Sequence, residues 1–313
     1  MSNLRGITPY QDMKNREEFQ TELRRKKRRK LLDEKRMNNL QKEPIIIEPE
    51  NYIIYFSEKR NILQTSQSIE EKCQIIKEFR SFLDKNHYIP FEEMIQCRIL
   101  STLVNMFIET NNDELENQLL HFFINYSIPD IEPMNNFMIK NGLIKVLTQK
   151  GLQMGNLNNC VHVCWAISNF IVNSLPGKKQ AIENGYLELM KKLFEKCPGE
   201  DTIMFAFVTL LKDYDYISDN DILQFLPYVS YILSIPNLKD LTMKYSIQAL
   251  SFICKRNEEI IKKFKIPILI RVFCQIDSPV EYIRNVAYKF ALTISRMKDE
   301  ELYQLFDVTQ ILN

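Results

Sequence analysis

Apolar residues recur along most of the chain at the spacing of one face of an α-helix. From about Ser68 onward, long segments carry apolar side chains at positions i, i+3, i+4 and i+7. One such face consists of Cys73, Ile76, Phe79 and Leu83. Ser68, with Glu71 three residues later, has the spacing of a capping box and predicts where this helix begins. Few runs alternate with the period of a strand, and the one candidate, Tyr52–Phe56, is isolated, so we predict an all-α body.

Two Asn-Gly pairs show that these helices repeat. Gly142 and Gly185 lie 43 residues apart, and each is predicted to end one helix just before an apolar helix begins. Pro227 and Pro267 follow 42 and 40 residues further on. We predict that both prolines lie at the matching helix starts, because the missing N–H of proline costs nothing in the first turn.

A second set of segments repeats with the same period. In chain order they are His121–Asn125, Trp165–Asn169, Phe205–Thr209, Gln248–Phe252 and Phe290–Ile294. Their last residues are spaced by 44, 40, 43 and 42. A period near 42 is typical of helical solenoids of the armadillo and HEAT type. We therefore predict a right-handed armadillo-type solenoid of about five repeats over residues 68–313, after a linker over residues 44–67.

Composition excludes several other classes of protein. Seven glycines in 313 residues is about a third of average usage, and neither glycine-rich phosphate-binding motif occurs. The seven cysteines form no Cys-x-x-Cys pair and the N-terminus lacks a signal-peptide pattern, so we expect a soluble protein of a reducing compartment. No apolar run is long enough to span a bilayer. The three histidines lie in no catalytic motif, so we predict neither an enzyme nor a cofactor.

Cys160, His162 and Cys164 have a spacing that invites comparison with a zinc site. On a helix, however, residues two apart point to different faces and cannot converge on one ion. Free cysteines are among the residues most often buried in protein cores. We therefore predict no metal site.

Charge divides the chain into two parts. Residues 1–43 hold 13 Lys and Arg against 7 Asp and Glu, a net of +6, whereas the other 270 residues sum to −5. Seven consecutive cations, Arg24–Lys30, lie in a segment of strong helix formers. Such an arm can bind a transport receptor, contact a nucleic acid or another polyanion, or remain an exposed helix without a partner. The overall sum of +1 argues against nucleic-acid binding over the whole surface.

Both parts of the chain resemble the importin-α family. Cys164–Asn169 resembles the third-helix motif of importin-α repeats, and Glu22–Arg36, followed by Asn38, is similar to the family's importin-β-binding segment. The resemblance implies that an importin-β-type receptor binds the arm through Leu23, Arg24, Arg25, Lys27, Arg28, Leu32, Lys35 and Arg36. It also implies that the arm can occupy the chain's own peptide groove.

The same resemblance assigns roles to two Trp/Asn-type pairs. Trp165 would lie along the stem of a Lys or Arg of a cargo peptide, and Asn169 would hydrogen-bond its backbone. His121 and Asn125 would be a second, weaker pair. The chain departs from the family pattern in having a single Trp, with Phe205, Gln248 and Phe290 at the later Trp positions.

These observations predict an importin-α-like nuclear import adaptor in cytoplasm and nucleus. It would bind a basic peptide of a cargo protein in its groove and an importin-β-type receptor through its arm. The alternative is a non-transport armadillo scaffold inside a larger assembly, with the arm as a docking helix. Neither function needs a membrane.

Overall fold

The structure, a computed structural model, describes residues 51–84, 89–127, 132–212, 217–256 and 263–295. The arm over residues 1–43 lies outside the described residues, and the receptor-binding role of its residues stays a prediction. In the described ranges there are fifteen α-helices, a 3₁₀ helix over Cys274–Asp277 and no strand. The helices are α1 Tyr52–Thr65, α2 Ile69–Asp84, α3 Phe91–Gln96, α4 Ile99–Glu109, α5 Asp113–Tyr126, α6 Glu132–Lys140, α7 Leu143–Gln153, α8 Leu157–Ile171, α9 Leu175–Glu183, α10 Tyr186–Lys196, α11 Asp201–Leu211, α12 Asp219–Ser234, α13 Asp240–Arg256, α14 Ile266–Phe273 and α15 Glu281–Ile294.

The helices form two packed layers. In layer A, defined as α2, α5, α8, α11, α13 and α15, each helix packs side by side with the next. In layer B, defined as α1, α4, α7, α10, α12 and α14, successive helices also contact one another, and each packs on its layer A partner. Short helices α3, α6 and α9 complete three-helix repeats. An opening pair, three three-helix repeats and two two-helix repeats follow in order, which confirms the predicted all-α armadillo solenoid.

Caps recur at the same helix in successive repeats. The Oδ1 atom of Asn112 accepts a hydrogen bond from the backbone N–H of Leu115 at the start of α5. Asn156 caps α8 in the same way, through Asn158 and Asn159. Such side chains satisfy N–H groups that have no partner within the helix. Gly142 and Gly185 adopt φ of 80° and 92°, in the left-handed region that glycine tolerates, so the predicted helix ends are confirmed.

The isolated strand candidate is helical. Tyr52–Phe56 belongs to α1, which runs over Tyr52–Thr65, within the segment expected to be a linker. The side chain of Asn51 caps it by accepting from the N–H groups of Ile53 and Ile54. Phe56 is fully buried and its ring lies 5.4 Å from that of Phe79 on α2. Packing of a helical face, rather than the high strand propensity of Tyr and Ile, decides this segment.

One of the two predicted proline positions is also wrong. Pro267 lies in the first turn of α14, as expected, but Pro227 lies inside α12, eight residues after Asp219. The helix continues through Pro227 although it loses one backbone hydrogen bond there. In this repeat, the first and second helices of an armadillo unit are one continuous helix.

Cations of layer B connect neighbouring repeats. Lys192 of α10 donates from Nζ to the carbonyl oxygens of Met154 (2.8 Å), Leu152 (3.2 Å) and Gly151 (3.4 Å), at the C-terminal end of α7. Lys150, 42 residues earlier, makes the same kind of contact to the carbonyl of Thr110, just after α4. These carbonyls lack partners within their own helices, and the helix dipole favours a positive charge there.

Replacing Lys192 tests this contribution. Lys192→Met keeps the aliphatic stem but removes the ammonium, so we expect the free energy of unfolding to fall by about 1–3 kcal/mol. Urea denaturation measures it. The matched control is Lys196→Met, an exposed position on the same helix, which should change stability by less than about 0.5 kcal/mol. Equal effects of the two substitutions would contradict the role of Lys192.

Candidate functional site

One row of side chains crosses layer A, and it contains two of the residues predicted from the sequence. We call these five the ladder residues: Arg80, His121, Trp165, Phe205 and Gln248. They lie on five successive layer A helices at intervals of 40–44 residues, and all five are partly exposed. They therefore lie on one face of the solenoid.

The repeat register pairs each ladder residue with the residue three positions before the next one, and contacts join the first, second and fourth of these pairs. We call each such pair a rung. In the first rung, Arg80 donates from Nη1 to Oε1 of Gln118 at 3.0 Å. In the second, the rings of His121 and His162 are 4.6 Å apart. In the fourth, the ring of Phe205 lies 5.5 Å from that of Tyr245.

The third rung differs because its second member is small. Trp165 and Thr202 form this pair by register, and both line a cleft of about 570 Å³. The other described lining residues come from the first two turns of α5 and α8 and from the residues before α8 and α11: Asp113, Glu114, Asn117, Asn156, Asn158, Asn159, Val161, His162, Cys197 and Glu200. The cleft therefore lies at the third rung.

Carboxylates give this cleft a negative charge. Asp113 and Glu114 lie at one wall and Glu200 at the other, and no Lys or Arg is among the lining residues that the structure describes. Glu200 lies 3.9 Å from the partly solvated ammonium of Lys239. Burial, reinforced by the neighbouring Asp201, raises the pKa of Glu200 above its ordinary value. Burial and the neighbouring Asp201 thus both disfavour the charged form of Glu200, which a nearby cation would stabilise.

The two histidines do not offset this charge at neutral pH. Burial, with smaller contributions from the charges of His162 and Arg80, lowers the pKa of His121 to about 3. Burial also lowers the pKa of His162. The Nδ1 atom of His162 lies 3.1 Å from Oδ1 of Asn117, at the edge of the cleft. Both rings are therefore neutral near pH 7 and present aromatic surface beside Trp165.

In each predicted Trp/Asn-type pair, one member lies on the ladder and the other is buried. His121 and Trp165 lie on the ladder, linked by His162, whose ring centroid is 6.4 Å from that of Trp165. Asn125 and Asn169 lie on the same helices but are only 7% and 2% exposed. Their peptide-binding role stays a prediction.

The position of Phe290 corrects the predicted repeat register. It was predicted to occupy a Trp position, but it is fully buried, with its ring 5.6 Å from that of Phe273 on α14. In the last described repeat, this residue packs between the layers instead of lying on the face. The ladder therefore ends at Gln248.

Sequence reasoning missed the second member of every rung. Their spacing was available as a signal, because Gln118, His162, Thr202 and Tyr245 lie 40–44 residues apart, like the ladder residues.

Cys160 and Cys164 are fully buried while His162 is partly exposed, so the three point to different faces. In the part of the chain that the structure describes, no three His, Cys, Asp or Glu side chains are placed to hold a metal ion. None of the described helices combines the length and apolarity needed to cross a membrane.

Comparison with known proteins supports the fold. No protein-family model and no curated protein matches the sequence. Among solved structures, the designed armadillo repeat protein YIII(Dq)4CqI is similar over 76% of this chain and 99% of its own, with 16% identity and a TM-score of 0.62. The designed armadillo repeat protein YIII(Dq.V1)4CPAF, solved in complex with the peptide (KR)4, matches over 76% and 98%, with 15% identity and a TM-score of 0.62. At these identities the likeness establishes the armadillo-repeat fold, and the chain is an armadillo-type solenoid.

The low pKa of His121 predicts how stability depends on pH. Between about 3 and the ordinary value of 6.5, the unfolded chain binds a proton at this residue and the folded protein does not. Stability should therefore fall as the pH drops below about 6.5. His121→Phe removes this contribution, so the wild type should lose about 1–2 kcal/mol more than the variant between about pH 7 and pH 5. Urea titrations at both pH values measure the difference, and an equal loss in both proteins would contradict the assignment.

Proposed function

We propose that the chain is an importin-α-like nuclear import adaptor, a binding protein and not an enzyme. In this proposal, a basic peptide of a cargo protein binds along the ladder face, and an importin-β-type receptor binds the arm. The observation that carries the proposal is the cleft at Trp165. It combines an aromatic wall with three carboxylates, on the layer A face of an armadillo solenoid. A Lys or Arg side chain fits both features, because its stem can lie on the indole ring while its charge meets the carboxylates.

A solved neighbour agrees with this chemistry. One similar designed armadillo protein was solved with the peptide (KR)4, which alternates Lys and Arg. The arm over residues 1–43 supplies the second part of the proposal through its resemblance to the importin-β-binding segment. Its charge of +6 is opposite to that of the rest of the chain, so the arm can also bind the chain's own cleft. The adaptor would work in both cytoplasm and nucleus.

The second candidate is a non-transport armadillo scaffold. The observation that favours it is the single Trp of the chain, with Phe205 and Gln248 on the ladder where the resembled family would repeat its Trp. Such a scaffold would use the ladder face or the arm to dock onto a larger assembly. Binding to an importin-β-type receptor separates the two candidates.

The single tryptophan provides a direct assay of peptide binding. Trp165 is the only Trp in the chain, so its fluorescence reports on the cleft alone. Titrating the full chain with (Lys-Arg)4 should change this emission saturably, and a Glu-Gly octapeptide should not change it. Asp113→Asn combined with Glu114→Gln should weaken binding about three- to tenfold, because two carboxylates are lost.

A matched control tests whether the position of these carboxylates matters. Glu109→Gln with Glu188→Gln removes the same net charge from exposed positions on layer B helices. We expect less than a twofold change in affinity from this pair. If both double variants weaken binding equally, the peptide responds to net charge and does not bind at the cleft.

Two triple variants of the arm separate the receptor from a polyanion. Arg24, Arg25 and Lys27 belong to the family pattern, whereas Lys26, Arg29 and Lys30 are neighbouring cations outside it. Replacing the first three with Ala should reduce retention of an importin-β-type receptor in a pull-down at least tenfold. Replacing the second three should have a much smaller effect. Nucleic acid would respond to both triple variants alike, because phosphates respond to the number of cations. No retention of the receptor by the full chain would favour the scaffold.

A further inference from the structure

The last described helix of layer B, α14, carries apolar side chains that are open to solvent. Ile266 and Ile270 are 48% and 41% exposed, and Cys274, which directly follows the helix, is also exposed. Residues of these three types are among those most often buried in proteins. Apolar groups that are exposed close together often mark an interaction site. We call these three residues the end patch.

An earlier helix of the same layer, α10, has equivalent positions. Lys192 of α10 and Arg271 of α14 correspond, because each donates to a carbonyl just after the preceding layer B helix. Counting from these two cations gives three further pairs of equivalent positions: Leu187 and Ile266, Lys191 and Ile270, and Glu195 and Cys274.

In α10, two of these positions contact α12. The Nζ atom of Lys191 lies 5.9 Å from the centre of the Phe225 ring. The Oε1 atom of Glu195 accepts a hydrogen bond from the hydroxyl of Tyr228 at 2.8 Å. At the third position, Leu187 is only 6% exposed. The end patch therefore lies on the side of α14 against which a further layer B helix would pack, as α12 packs against α10.

Residues 296–313 lie outside the described residues, and their sequence repeats the pattern of α12. A shift of 80 residues aligns five of them with α12, four of these on buried apolar positions: Leu302 with Ile222, Gln304 with Gln224, Leu305 with Phe225, Phe306 with Leu226 and Leu312 with Ile232. The exception is Thr309, which aligns with the buried Val229. The two cations that relate α10 to α14 are 79 residues apart, which is nearly the same shift. By sequence, this segment follows α14 as α12 follows α10.

The side chains that would meet at the end patch match in chemistry. The contact of α10 with α12 is partly polar, since a lysine, a glutamate and a tyrosine hydroxyl take part in it. At the corresponding places, Ile270 would meet Leu305, and Cys274 would meet Val308. Both sides thus carry apolar groups where the earlier pair carries polar ones, so their contact would remove apolar surface from water.

We propose that residues 299–312 bind the end patch as a further layer B helix, in the place that α12 has on α10. The occupant is this chain's own segment rather than a second copy. Because the segment is joined to α15 directly, its effective concentration at the patch is of the order of mM. The inference involves neither the cleft at Trp165 nor the arm, so its failure would leave the proposed function unaffected.

Cross-linking in the full chain tests the register. Val308→Cys places a thiol where α12 has Tyr228, beside Cys274. Gln310→Cys is the matched control, because residues two apart point to different sides of a helix. A short bis-maleimide should join Val308→Cys to Cys274 within one chain at least about fivefold more than it joins Gln310→Cys, since the first pair is held close together. Peptide mass spectrometry identifies the linked residues.

Three results of the cross-linking experiment would overturn the proposal. Equal linking in the two variants would show that the segment does not pack in this register. No link to Cys274 in either variant would show that it does not cover the patch. A link between two chains that increases with protein concentration would identify a second copy as the occupant.

Hydrogen–deuterium exchange tests whether the segment protects α14. Leu305 aligns with Phe225, which is 1% exposed, whereas Ile311 aligns with Tyr231, which is 57% exposed. Leu305→Ser should therefore speed exchange of the α14 amides about tenfold or more, while Ile311→Ser stays within about twofold of wild type. Both substitutions replace a four-carbon side chain, so equal effects would contradict the proposal.

The amides of α5 serve as the reference in the same measurement. They lie far along the chain from the segment, so their exchange should be the same in wild type and both variants. If Leu305→Ser also loses protection in α5, the whole fold is destabilised by that variant. The cross-linking result, obtained with milder substitutions, then decides.

Discussion

Side-by-side packing of the layer A helices is the constraint on which the rest of this structure depends. Because neighbouring helices repeat every 40–44 residues in one register, the residue three positions before a ladder residue is paired with the ladder residue of the preceding repeat. Where contacts are seen they differ in chemistry, from the hydrogen bond of Arg80 to the ring contact of Phe205, but they share this geometry. Once the register is fixed, the identities of the two residues decide the chemistry of each rung.

Apolar burial alone does not fix that register, because it is non-directional and roughly proportional to area. No repeat can bury its apolar faces without its neighbours. The cations of layer B make directional hydrogen bonds between successive repeats. Lys192 and Lys150 each reach back to the end of the preceding layer B helix, and Arg271 does the same to the carbonyl of Ile235 at 2.6 Å. A sliding of one repeat against the next would break these bonds, so they hold the layer A helices in the register that forms the rungs.

Most of the fold was predictable because its signals are periodic and local. The face of α2, the left-handed glycines and the position of Trp165 on the ladder all follow from spacing in the sequence. Two local signals in the sequence pointed to the wrong local structure. Tyr52–Phe56 favours a strand by composition but is helical because Phe56 packs on Phe79, and Pro227 lies within a helix instead of at its start. The cleft at Trp165 could not be predicted from Thr202 alone, because its lining comes from three different helices and the residues before them.

The cleft at Trp165 and the arm, if both act as proposed, cannot be independent. A segment of the same chain competes for a site at an effective concentration of the order of mM when the connection between them is short. The seven cations Arg24–Lys30 have the same charge chemistry as a basic peptide of a partner. A partner present at about µM concentration would then need an affinity roughly 10³-fold higher than that of the arm to occupy the cleft to the same extent. A receptor that binds the arm removes this competitor. Receptor binding would thereby strengthen peptide binding, and by linkage the peptide would strengthen receptor binding by the same factor.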